Sequence, residues 1–296
     1  MAGRRDDSGR GRGRVSFAGA ISVVLAAAAL FAGCPRTAAA APFDERLGAD
    51  SLYARVVHGG LVDYAAIERD RAPLDRALRA MAAAPPETLA AIAAPRRLAY
   101  YLNAYNLATL DLILRFRKER GGRLGSIQEI PGAWSRYRWR IGGVERTLDD
   151  LEHRVIRLEF SEPRVHMALV CASRSCPPLP AKAFAGADLE AALENAARAF
   201  VNDETRNRIT PGDGRVRISK IFEWYGGDFV GHYRDEALDY LYGEKNGAVL
   251  AFASRYLPEA AVKALRLKEA AVEFLPYDWN LNAAPAATPT AAVKKR

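Results

Sequence analysis

The spacing of apolar residues constrains the fold of this chain more than any other feature, because most of its periodic segments repeat at the helical interval. The longest such segment begins at Pro95 and continues to Arg117, and Gly121-Gly122 ends it. Strand patterns are short and do not alternate regularly with the helices. A doubly wound parallel sheet requires that alternation, so the sequence predicts a single α+β domain, mostly helical with a small, mainly antiparallel sheet.

The remaining elements follow from the same periodicity. Further helices are predicted over residues 72–83, 88–93, 147–158, 188–201, 237–242 and 248–256. Strands are predicted over residues 136–141, 144–146, 165–171, 215–218 and 272–275. The helix that begins at Thr147 opens with a capping-box variant, in which Asp150 takes the place of the usual Glu. These elements predict one domain over residues 43–282, which is large enough for a single hydrophobic core.

The first 40 residues are predicted to be a leader and not part of the fold. Arginines precede an uncharged run over residues 15–33, and small residues follow it, which is the layout of a secretory signal. Ala38-Ala39-Ala40 fits a cleavage site, whereas Leu30-Phe-Ala-Gly-Cys34 resembles a bacterial lipobox in which Cys34 would be lipidated. An uncleaved anchor is a third alternative, because the run is just long enough to span a bilayer. The sequence thus predicts an exported protein, periplasmic or secreted, that meets a membrane only through its leader or a lipid anchor.

The net charge of +8 is concentrated at the two ends of the chain. Most of it comes from the leader arginines and from the terminal Lys294-Lys295-Arg296, so the predicted domain is nearly neutral. Nucleic-acid binding needs Lys and Arg clustered on one face, and we therefore expect no nucleic-acid partner. Residues 283–296 are rich in Ala, Pro and Thr and are predicted to be a disordered tail.

A histidine and two thiols lie close together in the segment Arg164-Val-His-Met-Ala-Leu-Val-Cys-Ala-Ser-Arg-Ser-Cys-Pro-Pro178. Cys171 and Cys176 are the only cysteines outside the predicted leader. An exported protein meets an oxidising environment, so the two thiols could close a disulfide across the turn between them. A metal site is not predicted, because the spacing is not C-x-x-C and a second ligand pair is missing, and no cofactor is expected. The segment is therefore either a thiol site or a disulfide staple.

The predicted strand over residues 165–171 distinguishes the two thiols. Side chains alternate along a strand, so His166 and Cys171 should point to opposite faces. Cys171 would then lie among apolar neighbours as a small buried side chain. Cys176 follows in a polar turn beside Arg174, whose charge favours a thiolate. On this hypothesis Cys176 is the better nucleophile, and Cys171 is the second candidate.

Three polar side chains fall on predicted apolar helix faces. Glu152 lies within the stripe of Leu148, Leu151 and Val155, where a carboxylate is costly unless it has a partner. A structural salt bridge and a catalytic role both satisfy that need. Asn103 and Asn106 share a face with leucines, and buried amides must also find hydrogen-bond partners. They either hold a loop backbone in place or act as oxyanion donors.

Two aromatic segments carry embedded carboxylates and form either core or the wall of a groove. They read Ile218-Ser-Lys-Ile-Phe-Glu-Trp-Tyr-Gly-Gly-Asp-Phe229 and Tyr277-Asp-Trp-Asn-Leu-Asn282.

Taken together, these motifs resemble the DUF547 family, a domain of unknown function, over about residues 50–282. The resemblance is carried by Asn103-Ala-Tyr-Asn106, Leu148-Asp-Asp-Leu-Glu-His153, Pro163-Arg-Val-His-Met-Ala-Leu-Val-Cys-Ala-Ser-Arg-Ser-Cys-Pro177, Ser219-Lys-Ile-Phe-Glu-Trp-Tyr225 and Tyr277-Asp-Trp-Asn-Leu-Asn282. Some bacterial members look like exported proteins. The residue types also bear a distant likeness to the papain/transglutaminase-like group, in which a thiol, an imidazole and an acid converge. In that group the nucleophilic cysteine usually opens a helix before the histidine strand, whereas here Asn103 holds the helix position and the thiols follow the histidine.

Two functions are consistent with these residues. In a thiol-dependent hydrolase or acyl transferase, Cys176 or Cys171 would attack a carbonyl, His166 would act as general base and Glu152 would orient it. Asn103 or Asn106 would help to stabilise the oxyanion. The candidate substrate-binding residues are Asn106, Ser173, Arg174, Trp224, Tyr225 and Trp279. The alternative is a non-enzymatic envelope protein that binds a ligand or partner through its aromatic segments, with a Cys171–Cys176 disulfide; a thiol-redox role is a third possibility.

Overall fold

The computed structural model describes residues 43–209, 214–267 and 270–285. Most of these residues lie in helices. In chain order the α-helices are α1 Asp50–Val56, α2 Tyr64–Arg69, α3 Ala72–Ala83, α4 Pro86–Ala91, α5 Ala94–Glu119, α6 Arg157–Phe160, α7 Leu189–Val201, α8 Lys220–Tyr225, α9 Gly227–Val230, α10 Glu236–Tyr242, α11 Glu244–Ser254 and α12 Glu259–Arg266. Ile127–Glu129 and Pro163–Met167 are 3₁₀-helical, and Asp150–Ile156 is π-helical. The predicted leader, with Cys34, lies outside the described residues.

The strands are short and form small separate sheets. They are β1 Val57–His58, β2 Leu61–Val62, β3 Trp139–Ile141, β4 Val144–Arg146, β5 Arg208–Ile209, β6 Arg215–Ile218 and β7 Ala271–Phe274. β1–β2, β3–β4 and β5–β6 pair antiparallel, and β6–β7 pair parallel. The predicted α+β class, mainly helical with mainly antiparallel pairing, is confirmed.

Helix α5 is the centre of the fold. Its 26 residues give it a length of about 39 Å, and it is buried on all sides from Leu98 to Leu114. Pro95 lies in its first turn, where a proline removes no helical hydrogen bond. Several polar groups inside this helix have partners: Asp111, for example, accepts from the Trp139 indole at 2.7 Å and pairs with two arginines. A helix buried all round must be surrounded by the other elements, so α5 fixes where they can pack.

The helix predicted from Thr147 is present, but its winding differs from the expected α-helix. The capping box is confirmed: the Asp150 N–H donates to the Thr147 hydroxyl at 3.0 Å, and the Asp150 carboxylate accepts from the Thr147 N–H at 3.3 Å. Residues Asp150–Ile156 then form a π-helix before α6 begins. π-helical turns are frequent at functional sites, and this one carries Glu152.

The strand predicted over residues 165–171 is wrong. Pro163–Met167 instead forms a 3₁₀-helix, which begins with Glu162 accepting a hydrogen bond from the Arg164 N–H at 2.9 Å. The backbone of residues 168–170 forms hydrogen bonds with the Asn106 side chain and not with a neighbouring strand. Asn106 binds both the Ala168 carbonyl and the Val170 N–H. A short apolar run that is buried on all sides has no period that distinguishes a strand from a helical turn.

The chain returns to the middle of the molecule near its described end. We call residues 277–284 the C-terminal strap. It forms isolated β-bridges from Asn280 to Ser126, from Leu281 to Ser173 and from Ala283 to Val62. The first residues of the predicted disordered tail are therefore hydrogen-bonded, since Ala284 also donates to the Val62 carbonyl at 2.8 Å. Residues 286–296 of that tail lie outside the described part of the chain.

The described residues form one compact unit around two adjoining hydrophobic clusters. The first surrounds α5 and includes Cys176 and Ala172, and the second lies among α7 to α12 and β6. Met167 belongs to the second cluster, although its neighbour Ala168 belongs to the first. The histidine and cysteine segment therefore runs along the boundary between the two clusters. No helix among the described residues is both long and apolar enough to cross a membrane.

Candidate functional site

A cleft of about 690 Å³ opens along this boundary. Its walls come from the segment around Ile130–Ser135, the π-helix, the 3₁₀-helix with the residues that follow it, α8 and the C-terminal strap. His166, Cys171 and Cys176 all line it. The aromatic residues that line it are Tyr105, Trp134, Trp224, Tyr225, Tyr277 and Trp279.

The two thiols are free in this structure and have opposite environments. Cys171 is half-buried, and its sulfur lies 3.3 Å from the Ser173 hydroxyl and 3.3 Å from the Tyr277 hydroxyl. Hydrogen bonding from the Cys176 thiol, supported by those hydroxyls, lowers the pKa of Cys171 to about 7, although burial acts in the opposite direction. Cys171 is therefore the thiol that ionises more readily.

Cys176, the nucleophile preferred from the sequence, has the less favourable environment for a thiolate. It is buried rather than part of an exposed polar turn. Its sulfur accepts a hydrogen bond from the Cys171 N–H at 2.7 Å and lies 3.6 Å from the Leu169 carbonyl. Burial raises the pKa of Cys176 well above its ordinary value, and the neighbouring Cys171 adds to the effect. Cys176 thus acts on its neighbour and remains a thiol itself.

The residue after Cys171 has a backbone conformation that is rare for a side chain. Ala172 has a φ of 63°, in the left-handed region, and it is buried. Such residues cost on the order of 1–3 kcal/mol and persist where the surroundings impose them, often at functional sites. Here the strap imposes it, because the Asn282 N–H donates to the Ala172 carbonyl at 2.9 Å. The resulting sharp turn separates Cys171, which lines the cleft, from Ser173, which does not.

His166 is paired with an acid, but the acid is Asp228 and not Glu152. The His166 Nε2 lies 2.8 Å from the Asp228 carboxylate, and Arg157 donates two hydrogen bonds of 2.7 Å to the same carboxylate. Burial acts to raise the pKa of Asp228, but Arg157 and His166 outweigh it and hold that pKa well below its ordinary value. The carboxylate that contacts His166 therefore belongs to Asp228, which α9 contributes from a position 62 residues further along the chain.

Glu152 is buried, as predicted, and its partner is a phenol. The Tyr225 hydroxyl is hydrogen-bonded to it, and burial together with Glu152 raises the pKa of Tyr225 far above its ordinary value. The Tyr225 ring stacks on His166, with centroids 4.0 Å apart and an interplanar angle of 21°, and the Arg157 guanidinium lies 5.2 Å from its centroid. Glu152 thus acts on the imidazole indirectly, by holding the ring that lies against it.

His153 and Arg157 belong to the same network. Arg157 donates to the Nδ1 of His153 at 2.8 Å, and the His153 Nε2 lies 3.9 Å from Asp149. Asp149 and His153 both line the cleft. Burial, followed by the charge of Glu152, raises the pKa of Asp149, while His153 acts to lower it.

Both asparagines are engaged by backbone groups, so the oxyanion role proposed for them is not supported. Asn103 donates to the Glu45 and Phe184 carbonyls at 2.9 and 2.8 Å and accepts from the Phe184 N–H at 2.9 Å. Asn106 binds the loop that leads to Cys171 through its bonds to Ala168 and Val170. The first alternative from the sequence, that these amides hold loop backbones, describes the observed contacts.

The remaining candidate substrate-binding residues divide into two groups. Trp224, Tyr225 and Trp279 all line the cleft, as the groove interpretation expected. Arg174 is exposed and lines a separate cavity of about 100 Å³, together with Ser173 and Arg206. Arg174 does not line the cleft, whereas Ser173 contacts the sulfur of Cys171 at 3.3 Å.

Sequence reasoning missed Asp228, Arg157 and Ala172, and it treated Tyr277 only as part of an aromatic segment. No spacing rule links Asp228 to His166, because the two residues come from different helices. Arg157 carried a weak signal, since it is four residues from His153, but that spacing is equally typical of a surface pair. Among the described residues, no group of three or more His, Cys, Asp or Glu side chains is arranged to hold a metal ion.

Residues 89–201 match the family model described as "Protein of unknown function, DUF547". The resemblance expected from the sequence is thus confirmed over this segment, which is shorter than residues 50–282. It contains His166, both thiols and Glu152, whereas Asp228 and the C-terminal strap lie beyond it. No curated protein and no solved structure matches the chain.

Proposed function

Starting from a chain whose residues 89–201 match a family without an assigned activity, we propose that this protein is a thiol-dependent hydrolase or acyl transferase. Cys171 is the nucleophile and His166 the general base. One observation carries the proposal: a free thiol with a lowered pKa shares a cleft with an imidazole that a carboxylate already orients. A nucleophile, a base and a group that orients the base are the recurring parts of acyl-transfer sites.

The Asp228 contact determines which nitrogen of His166 can work as the base. Asp228 is an acceptor, so the His166 Nε2 carries a proton and donates it. Among the described residues the Nδ1 has no hydrogen-bond partner, which leaves it available to exchange a proton in the cleft. Asp228 also stabilises the imidazolium that forms when the Nδ1 takes up a proton.

The reaction proceeds by two acyl transfers. The Nδ1 of His166 takes the proton of Cys171, and the sulfur attacks the acyl carbon of the substrate. The bond from that carbon to the leaving group breaks as the imidazolium returns the proton to the leaving group, and a thioester remains. Water, or an acceptor in the transferase case, then attacks the thioester while His166 removes its proton, and the sulfur leaves and is reprotonated.

Tyr277 and Ser173 are placed to stabilise negative charge beside the reacting sulfur. Ser173 donates to the Tyr277 oxygen at 3.0 Å, so the Tyr277 proton is available for the Cys171 sulfur at 3.3 Å. Burial raises the pKa of Tyr277 well above its ordinary value, so this hydroxyl stays protonated. Donors fixed beside developing charge supply a large share of catalysis in acyl-transfer sites.

The thiol state of the full-length protein tests this proposal. We expect brief alkylation of the full-length chain carrying Cys34→Ser, without reductant and followed by intact-mass measurement, to add one label. The Cys171→Ala variant should lose this label, and Cys176→Ala should retain it. If no label is added until a reductant is supplied, the two cysteines form a disulfide and the thiol mechanism is excluded.

If the two cysteines form a disulfide, the aromatic walls of the cleft favour the alternative function, a non-enzymatic protein that binds a ligand or partner. Trp224, Tyr277 and Trp279 lie against one another, with ring centroids 4.5–5.8 Å apart, and form a surface that can bind a ligand without any chemistry. A ligand bound equally well by the wild-type protein and by Cys171→Ala, with no turnover by either, would support that function.

We also propose, from the leader expected over residues 1–40, that the protein acts outside the cytoplasm, periplasmic, secreted or lipid-anchored at Cys34. N-terminal sequencing of the protein recovered from the envelope and medium tests this. A chain that begins near residue 41, or at a lipidated Cys34, is the expected result. Recovery of the chain only from the cytoplasm, beginning at Met1 or Ala2, would contradict it.

A further inference from the structure

The charges that line the cleft have one sign. Asp149 and Glu152 contribute carboxylates, and no Lys or Arg is among its described lining residues, although the chain contains 43 of them. Glu152 is buried, and Asp149 is partly exposed at the wall. The backbone N–H of Asp149 donates to the Trp134 carbonyl at 3.0 Å, so the two residues are neighbours in the cleft wall.

The nearby cation is already neutralised. Arg157 directs two of its donors to Asp228 and a third to the Nδ1 of His153. An arginine has no lone pair to accept with, so the Nδ1 of His153 is the acceptor in this contact. Its remaining N–H then points toward Asp149, 3.9 Å away. The two carboxylates of the lining therefore have no fixed positive charge facing them from within the cleft.

Tryptophan faces complete the site. Trp224 and Trp279 stack with centroids 5.8 Å apart, and Trp134 meets Trp279 edge-on at 6.0 Å. Trp224 is 43% exposed, so a large part of its ring is open to a ligand. Tryptophan is the best aromatic partner for a cation held over its face, and the interaction strengthens when the cation is partly desolvated.

From this combination we infer that the cleft selects an organic cation: the substrate is an ester, thioester or amide that carries an ammonium group. The ammonium lies against the tryptophan side of the cleft, between Trp134, Trp224 and Trp279, with Asp149 as its counter-charge. Anionic acyl groups are rejected by Asp149 and Glu152. The reaction of this substrate rests on the proposed function, but its binding does not.

Binding can be measured without any thiol chemistry in the full-length Cys171→Ser variant. The probes are choline and 3,3-dimethylbutan-1-ol, which have the same shape and differ in charge. We expect calorimetry to show choline binding about tenfold more tightly than the neutral alcohol, as a partly desolvated cation–π contact implies. Equal affinities, or tighter binding of the alcohol, would overturn the inference.

Two substitutions locate the interaction. Trp224→Leu and Asp149→Asn should each weaken choline binding severalfold and leave the alcohol unaffected. Glu145→Gln is the matched control, because Glu145 is an exposed carboxylate on β4 outside this cleft. If Glu145→Gln weakens choline binding as much as Asp149→Asn does, the effect is one of overall charge and the site is not the one inferred.

A second experiment separates this inference from the proposed function. Cationic trimethylammonium-ethyl and anionic sulfonato-ethyl methanethiosulfonates are applied to the full-length chain carrying Cys34→Ser, and the same chain with Cys171→Ser added is the control. We expect the cationic reagent to label Cys171 at least about tenfold faster, after correction for their rates with a free thiol. Rapid labelling without charge preference would overturn the inference and leave the thiol proposal standing. Choline binding with no labelling of Cys171 would support the inference and overturn the thiol proposal.

Discussion

The pKa values of Cys171 and Cys176 are shifted in opposite directions, because the neighbours of the two thiols differ. Cys171 has hydroxyl and thiol donors around its sulfur, and a donor stabilises the charged form. Cys176 is enclosed by the first hydrophobic cluster, and burial destabilises the charged form. At the scale of single residues, the chemistry of this site therefore depends on contacts that sequence neighbours do not reveal.

The pH dependence of alkylation tests this assignment. The rate of Cys171 modification by iodoacetamide should rise through a midpoint near 7, because the lowered pKa leaves the thiol neutral below that pH and ionised above it. An ordinary thiol would titrate at about 8.5. Tyr277→Phe removes one donor to the sulfur and should move the midpoint upward. A wild-type midpoint of 8.5 or more would contradict the assignment.

Asp228 contributes to stability as well as to orientation. Its pKa is lower in the folded protein than in the unfolded chain, so its contribution is present above the unfolded pKa of about 4 and disappears as the pH falls further. Asp228→Asn should cost about 2 kcal/mol at pH 7, because Arg157 and His166 lose their counter-charge.

Urea unfolding at two pH values measures this effect. The difference between wild type and Asp228→Asn should be largest at pH 7 and should shrink at pH 3. A difference that stays constant between pH 7 and pH 3 would show that the carboxylate charge is not what stabilises the site.

At the scale of elements, helix α5 supports two loops through two amides. Asn103 holds the loop at Phe184, and Asn106, one turn further on, holds the loop that leads from the 3₁₀-helix to Cys171. Each amide both donates and accepts, so it replaces the pairing that a sheet would otherwise supply. The fold can therefore position the nucleophile on irregular backbone beside a rigid helix.

Asn106→Leu and Asn103→Leu form a matched pair of substitutions. Each leaves buried backbone groups without partners and should cost about 2–4 kcal/mol in the free energy of unfolding. Only Asn106→Leu should also slow alkylation of Cys171, because only Asn106 binds the residues next to it. Equal effects of the two variants on the alkylation rate would contradict this division of roles.

At the scale of the whole molecule, the C-terminal strap connects distant parts of the chain. Its backbone pairs with residues near positions 62, 125 and 172, and the Asn282 side chain accepts from the buried Tyr64 hydroxyl at 2.7 Å. It also brings Tyr277 and Trp279 to the cleft. The site is thus complete only when the end of the described chain has folded back onto its beginning.

Truncation tests the contribution of the strap. A chain that ends at Pro285 keeps these contacts and should retain the wild-type melting temperature. A chain that ends at Pro276 loses them and should melt about 10–20 °C lower, which corresponds to roughly 5 kcal/mol for a protein of this size. Because the shorter chain could fail to fold, Asn282→Ala in the full chain is the second measurement. It should lower stability by about 1–2 kcal/mol, and no change in either variant would contradict the role of the strap.

The sequence by itself determined the elements whose signals are local. The helix from Pro95, the hairpin around Gly142-Gly143 and the capping box at Thr147 all form as predicted, because each depends on neighbouring residues alone. The burial of Glu152 also followed from the sequence, since a carboxylate in an apolar stripe must be enclosed and partnered.

Only the tertiary structure decided which residues form the site and what each can do. Pro163–Met167 is a 3₁₀-helix because it lies between two hydrophobic clusters, and that removed the strand alternation on which the choice of Cys176 rested. Asp228 reaches His166 from another helix, and the strap sets the left-handed turn at Ala172. These features arise from contacts between residues far apart in the chain and from the pKa shifts that burial causes. The spacing of residues along the sequence predicts neither the contacts nor the pKa shifts.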